Sequence, residues 1–176
     1  MAHRELTGIL LVGGSSTRFG SPKALATLDG ETLAERAWRL LGNACSERIA
    51  VGKKADGLEL PFDLVDDASD VRAPLAGLVA GLRAARTDVS VVIPVDMPRL
   101  TAGALHALAN ACRDAAVPPT GPLPGAYRQS ALANLERYLD LGELRLRDAL
   151  AELDVATVDL DASVLVNVNT PDDVRL

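Results

Sequence analysis

The stretch Leu6-Thr7-Gly8-Ile9-Leu10-Leu11-Val12-Gly13-Gly14-Ser15-Ser16-Thr17-Arg18-Phe19-Gly20-Ser21-Pro22-Lys23 decides the fold. Leu6–Val12 is a largely apolar run that empties into Gly13-Gly14, which reads as a buried strand entering a glycine-rich turn. Just beyond it, Leu33, Ala37, Leu40 and Leu41 recur at helical spacing, with Glu35, Arg36 and Arg39 on the opposite face. Strand, glycine turn and helix open a βαβ unit.

Further out the alternation continues. Arg48–Val51 and Phe62–Val65 are short β-type runs, and Leu75–Ala85 is an apolar Ala/Leu helix. Val89–Val95 is nearly continuous in Val and Ile, the pattern of a parallel strand covered on both faces. Thr101 has the chemistry to cap a helix over Ala102–Arg113. Ala115–Gly125 carries four prolines and two glycines and is expected to be a loop or at best an edge strand. Helical patterns follow over Ser130–Leu141 and Arg145–Leu153, then β-type residues over Val155–Leu160. Asn167–Asp173 reads as a helix start, with Thr170 as N-cap, Pro171 at the first helical position and two acids facing the dipole. The expected fold is an α/β three-layer α/β/α sandwich on a mainly parallel sheet, one domain over residues 1–176. Such sheets bind ligands at the carboxyl ends of their strands.

Composition narrows the classes of function. The 176 residues carry 18 basic and 24 acidic side chains, a formal net charge of −6, with 48% hydrophobic and only 3% aromatic residues. An acidic chain lacks the basic face that a phosphate backbone requires, and so few aromatics make no base-stacking platform, so nucleic acid is not an expected partner. An anionic ligand must be held locally by cations, backbone amides or a metal. Cys45 and Cys112 form no C-x-x-C pair and read as small core hydrophobes in a reducing compartment. Ile9–Val12 is too short for a secretory apolar region, and no apolar run approaches the ~20 residues of a membrane span. A cytoplasmic protein with no membrane association is expected.

The glycine turn is where chemistry concentrates. Successive glycines let backbone N–H groups converge on an anion, and Arg18 and Lys23 add the charge that a polyphosphate needs. The spacing fits neither G-x-x-x-x-G-K-[ST] nor G-x-G-x-x-G. Asp96, ending the most apolar strand, can hold Mg²⁺, which prefers few oxygen ligands completed by water and phosphate. Asp66 and Asp67 follow a strand end, where one can be a turn former. Asn167 and Asn169 either face a second substrate or satisfy loop backbone.

What the turn does match is L-x-G-G-x-S-x-R-x-G-x-x-K, written here by Leu11, Gly13, Gly14, Ser16, Arg18, Gly20 and Lys23. It resembles the signature of the nucleotidyltransferases, in particular the molybdenum cofactor guanylyltransferases (MobA-like NTP transferases). Val65-Asp66-Asp67 followed by Pro74-Leu75-Ala76-Gly77-Leu78, then Pro94-Val95-Asp96-Met97-Pro98, then Asn167-Val168-Asn169-Thr170-Pro171 are similar to further elements of that family, in the same order. The resemblance implies a Rossmann-like nucleotidyltransferase fold. It also implies transfer of GMP from GTP to molybdopterin with release of pyrophosphate. Catalytic roles would fall to Arg18, Lys23 and Asp96, and nucleotide binding to Leu11, Val12, Gly13, Gly14, Lys23, Asp67 and Asp96. Mg²⁺ would sit on Asp96, Asn167 and Asn169 would face the second substrate, and accessory cofactor-biosynthesis proteins are conceivable partners. The stretch around Tyr127-Arg128 is similar to the family's acceptor-side loop, and Arg145 and Arg147 are further candidates for an anionic acceptor.

Three departures concern the base. Val12 stands where the family usually has alanine, Ala73 where it has glycine, and Val51-Gly52-Lys53-Lys54 where it has an asparagine. Cytidylyl transfer to the same pterin, or nucleotide binding by a regulatory paralogue without turnover, are the alternatives.

Overall fold

The computed structural model describes residues 5–13 and 21–175. The decisive stretch begins with β1 (Leu6–Leu11), whose six residues are all buried. Alternate β1 side chains serve opposite cores, as the period of two requires. Leu6 and Leu10 pack with α1 (Leu33–Ala44) and α3 (Ala102–Ala111). Ile9 and Leu11 pack with α2 (Pro74–Ala84), α4 (Leu132–Asp140) and α5 (Leu146–Leu150). The same split runs along β6 (Val89–Pro94), with Val89, Val91 and Ile93 on one face and Val92 on the other. Two helical layers sandwich the sheet, and the near-continuous apolar reading of both strands follows from burial on both faces.

Beside these lie β4 (Glu47–Gly52), β5 (Leu64–Asp66), β7 (Ala115–Val117), β8 (Gly125–Arg128) and β9 (Val155–Thr157). The sheet order is β5-β4-β1-β6-β8-β7-β9. β4, β1 and β6 pair in parallel, β5 is parallel to β4, and β9 is parallel to β7. β8 alone in this sheet runs against its neighbours β6 and β7. A small hairpin, β2 (Thr27–Leu28) and β3 (Glu31–Thr32), precedes α1. Thr32 closes a capping box with Glu35 there, and Thr101 caps α3 by accepting from the Ala104 amide.

α2 packs closely on β1 because two of its positions lack a side chain. A Cβ on Gly81 would stand 2.7 Å from Ile9 Cγ2, and one on Gly77 would stand 3.0 Å from Leu11 Cδ2. These glycines let the helix start sit directly over the end of β1.

Three expectations need correction. Within Ala115–Gly125 residues 118–124 form the expected loop, but β7 is no edge strand: it lies between β8 and β9, because the four prolines all follow Val117 and leave Ala115 and Ala116 free to pair on both sides. The Tyr127-Arg128 stretch belongs to strand β8 rather than an acceptor-side loop. Arg128 pairs with Val89 at the amino end of β6, and its guanidinium is spent on Asp88 at 2.6 Å and on the carbonyls of Arg113 and Cys112. Finally, β5 begins at Leu64 because Phe62 leaves the strand to stack on Trp38, with ring centroids 4.4 Å apart.

Candidate active site

Four parallel strands, β5, β4, β1 and β6, end at one edge of the sheet, and the chain leaving each of them lines one cleft of about 730 Å³. From β1 come Leu11, Val12 and Gly13, and from β6 come Val95 and Asp96. Gly13 is exposed, and a Cβ built on it would meet nothing within 4 Å, so the backbone here lies open to the cleft. The Val12 amide donates to the Val51 carbonyl at 2.9 Å, and the Asp67 amide to the Gly52 carbonyl at 3.1 Å, extending the ladder into the site. Ala73, Pro74 and Gly77 bring the start of α2 to the same wall, with its positive dipole end toward the cleft.

Lys23 opens a short 3-10 turn, Lys23–Leu25, anchored by the buried Ala24. Its Nζ lies 3.3 Å from Asp96 Oδ2, with the two side chains 20% and 25% exposed. The backbone carbonyl of Asp96 accepts from the Val168 amide at 2.8 Å, and the Val168 side chain is buried. That bond and the buried Val168 side chain fasten the C-terminal segment beside Asp96. Asn167 and Asn169, on either side of Val168, are exposed, and among the described residues neither side chain has a hydrogen-bond partner. The expected Thr170 cap is realised in reverse: Asp173 reaches back to accept from the Asn169 and Thr170 amides, each at 2.8 Å, ahead of the 3-10 turn Pro171–Arg175. Those two bonds, with the nearby Lys23 charge, hold the Asp173 carboxyl below the usual carboxylate range.

At the other end of the cleft Asp66 and Asp67 separate. Asp66 accepts from the Lys54 and Ala68 amides at 2.9 and 2.8 Å, which bends the loop through Ala68 at φ 52° and lowers the Asp66 pKa. Asp66 is a turn former outside the main cleft. Asp67 lines it, and meets a residue the motifs do not single out. Lys53 Nζ donates to Asp67 Oδ1 at 2.9 Å and Oδ2 at 3.3 Å, and also to the Ser69 carbonyl. The pair is 13% and 9% exposed, so removing either partner would strand a largely buried charge. On the rim, Arg72 makes a two-pronged bond to Asp56 at 2.6 and 3.0 Å, which pulls the Asp56 carboxyl below its ordinary pKa. Leu123, from the chain between β7 and β8, completes the wall near Asp96.

The cleft therefore gathers Leu11, Val12, Gly13, Lys23, Asp67 and Asp96, while Asn167 and Asn169 flank Asp96 through Val168. Gly14 and Arg18 lie outside the described residues. Arg145 and Arg147 are exposed and do not line the cleft.

Residues 8–158 match the model of the MobA-like NTP transferase domain. The chain belongs to that family. A protein of Chloroflexus aggregans named "probable molybdenum cofactor guanylyltransferase" is 38% identical over 195 residues, covering 99% of this chain and 94% of the relative. A molybdenum cofactor guanylyltransferase of Burkholderia ambifaria is 35% identical, covering 94% and 92%. The crystal structure of molybdopterin-guanine dinucleotide biosynthesis protein A from Archaeoglobus fulgidus superposes with a TM-score of 0.82 at 26% identity, over 96% of this chain and 95% of that one. This MobA-like chain is thus a nucleotidyltransferase with the Rossmann-like fold of its relatives. None of its described helices is long and apolar enough to cross a membrane.

Proposed function

We propose that this MobA-like chain transfers GMP from GTP to molybdopterin with release of pyrophosphate. The observation that carries the reading is the Lys23–Asp96 pair, which lines with the open Gly13 backbone a cleft of about 730 Å³, room enough for a nucleotide. The names of its relatives supply the acceptor and the base. Attack at an α-phosphorus needs positioning and charge neutralisation more than covalent help from the protein. Lys23 would neutralise the triphosphate and the departing pyrophosphate, a charge that grows as the bond breaks. Arg18, from the same motif, would share that task. Asn167 and Asn169, with unpaired side chains next to Asp96, would position the acceptor.

The donor set suits Mg²⁺. No cluster of three or more His, Cys, Asp or Glu able to hold a metal exists among the described residues, so a closed protein cage is not built here. A single strand-end carboxylate, Asp96, fits an ion held through one or two carboxylates and completed by substrate phosphate and water. When bound, Mg²⁺ would offset charge on the phosphate oxygens.

The test is pyrophosphate release from GTP with molybdopterin and Mg²⁺. Lys23→Ala and Asp96→Ala should each reduce turnover by more than about 100-fold, the scale on which single transition-state charge contacts act, with the far-UV spectrum unchanged. Normal turnover in either variant overturns its role. Faster turnover of CTP than GTP by the wild type would reassign the base.

A further inference from the structure

The backbone beside Asp96 is pinned at three consecutive peptide groups. The Val168 amide donates to the Asp96 carbonyl, and the Asn169 and Thr170 amides both donate to Asp173 Oδ2, each at 2.8 Å. Because each peptide group is planar, the two planes that flank the Asn169 Cα are both held. The direction in which its side chain leaves the backbone is held with them.

Capping a helical turn does not require this much. In the capping box at the start of α1, Glu35 accepts from the amide and hydroxyl of Thr32, the N-cap residue alone. Asp173 stands three residues after Thr170, as Glu35 does after Thr32, and accepts from the Thr170 amide in the same way. Its other bond goes one residue further out, to Asn169. That bond lies outside the turn Pro171–Arg175 and contributes nothing to starting it. What it holds is the segment that carries Asn167 and Asn169, the two exposed asparagines with unpaired side chains. The acceptor of both bonds is a carboxylate, which strengthens them, and the nearby Lys23 charge favours its ionised form.

We infer that Asp173 is a positioning residue for the acceptor: without touching it, the carboxylate holds the Val168–Thr170 backbone in the shape that presents Asn167 and Asn169 beside Asp96. The segment is thereby ordered in the folded protein rather than by the arriving acceptor. Released from the carboxylate, Asn169 has to be ordered on binding. Fixing one residue's backbone costs a factor of about 5–30 in an equilibrium constant. The loss falls on acceptor affinity and not on the rate of the bound complex, because the segment is ordered in ground state and transition state alike. The inference rests on the proposed acceptor role of Asn167 and Asn169 and adds to it the residue that sets their geometry.

Both amides meet the same oxygen, so a carboxamide can take over the task. Asp173→Asn keeps a carbonyl oxygen there, whereas Asp173→Ala keeps none. The experiment measures pyrophosphate release with GTP and molybdopterin varied separately, calorimetric binding of molybdopterin, and amide exchange at Asn169 and Thr170. It compares the wild type with both variants, each checked for an unchanged far-UV spectrum. Asp173→Ala should raise the KM and Kd for molybdopterin by about 5–30-fold and speed exchange at both amides. Its kcat and its KM for GTP should stay within about twofold of wild type, and Asp173→Asn should bring the molybdopterin KM back to within about threefold. Equal rises in both KM values would mean that Asp173 only supports the fold. An unchanged molybdopterin KM, or an asparagine variant as impaired as the alanine one, would mean that the two bonds do not position the acceptor. Either result in a wild type that transfers GMP overturns the inference and leaves the proposed function standing. Molybdopterin binding weakened by Asp173→Ala in a protein that never transfers GMP would do the opposite, and a wild type that does not bind molybdopterin refutes both.

Discussion

Replacing Tyr127 by phenylalanine removes one oxygen from the interior and isolates a single bond. The Tyr127 ring is fully buried in β8, and its hydroxyl donates to the Pro122 carbonyl at 2.6 Å. The ring itself packs in the core and is retained in the variant, so no sizeable cavity forms. The cost is the lost bond plus any stranding of the carbonyl. A buried acceptor left empty costs about 1–3 kcal/mol, whereas one that water can reach costs about 0.5–1.5. Pro122 is half-exposed, so the lower range applies and about 1 kcal/mol is expected. For a chain of 176 residues that corresponds to a melting temperature lower by about 2–4 °C. Because Leu123 follows Pro122 and lines the cleft, the KM for the acceptor should rise as the wall loosens while nucleotide affinity holds. Urea denaturation reads the first effect and steady-state kinetics the second. A stability change under about 0.3 kcal/mol would show that the hydroxyl is not holding the wall; a loss above about 3 kcal/mol with a lower m-value would show that it holds the core itself.

Gly13→Ala should leave stability within about 0.5 kcal/mol of wild type, since its Cβ would enter open space and its backbone is not left-handed. The same methyl would sit where a nucleotide approaches, so the rise in melting temperature on adding GTP and Mg²⁺ should shrink; a full rise would remove Gly13 from the site. Burial pushes the Cys45 thiol from 9.0 up to about 12, so between those values the unfolded chain releases a proton that the folded chain keeps. Stability therefore declines as pH rises from about 9 toward 12, and Cys45→Ala should flatten the fall in urea midpoint over that range. An equal slope in both proteins would contradict it.

The parallel half of the sheet was legible because its chemistry is local. β1 and β6 are buried on both faces and read as nearly continuous apolar runs, and Gly13 and Asp96 stand just past their ends, where open sheets bind ligands. β8 was not legible, because Gly125-Ala126-Tyr127-Arg128 becomes a strand only by pairing with β6 and β7, partners distant in sequence. The same holds at the cleft's far end. Lys53 and Asp67 are 14 residues apart and follow different strands, and nothing in either neighbourhood announces the other. Lys53 registered only as a departure from an expected asparagine, and only the register of β4 against β5 turned it into a partner for Asp67.

The reversed course of β8 has a bearing on how such a chain can change. Because β7 and β8 are antiparallel neighbours, the seven residues between Val117 and Gly125 leave the sheet and return to it at the ligand-bearing edge, without a crossover helix. Hairpin connections of this kind accept extra or fewer residues at little entropic cost. The wall of the cleft that carries Leu123 is thus a detachable panel, while Lys53, Asp67 and Asp96 follow directly on the parallel strands of the frame. Evolution, or an engineer, can refit that panel and leave the rest of the cleft intact.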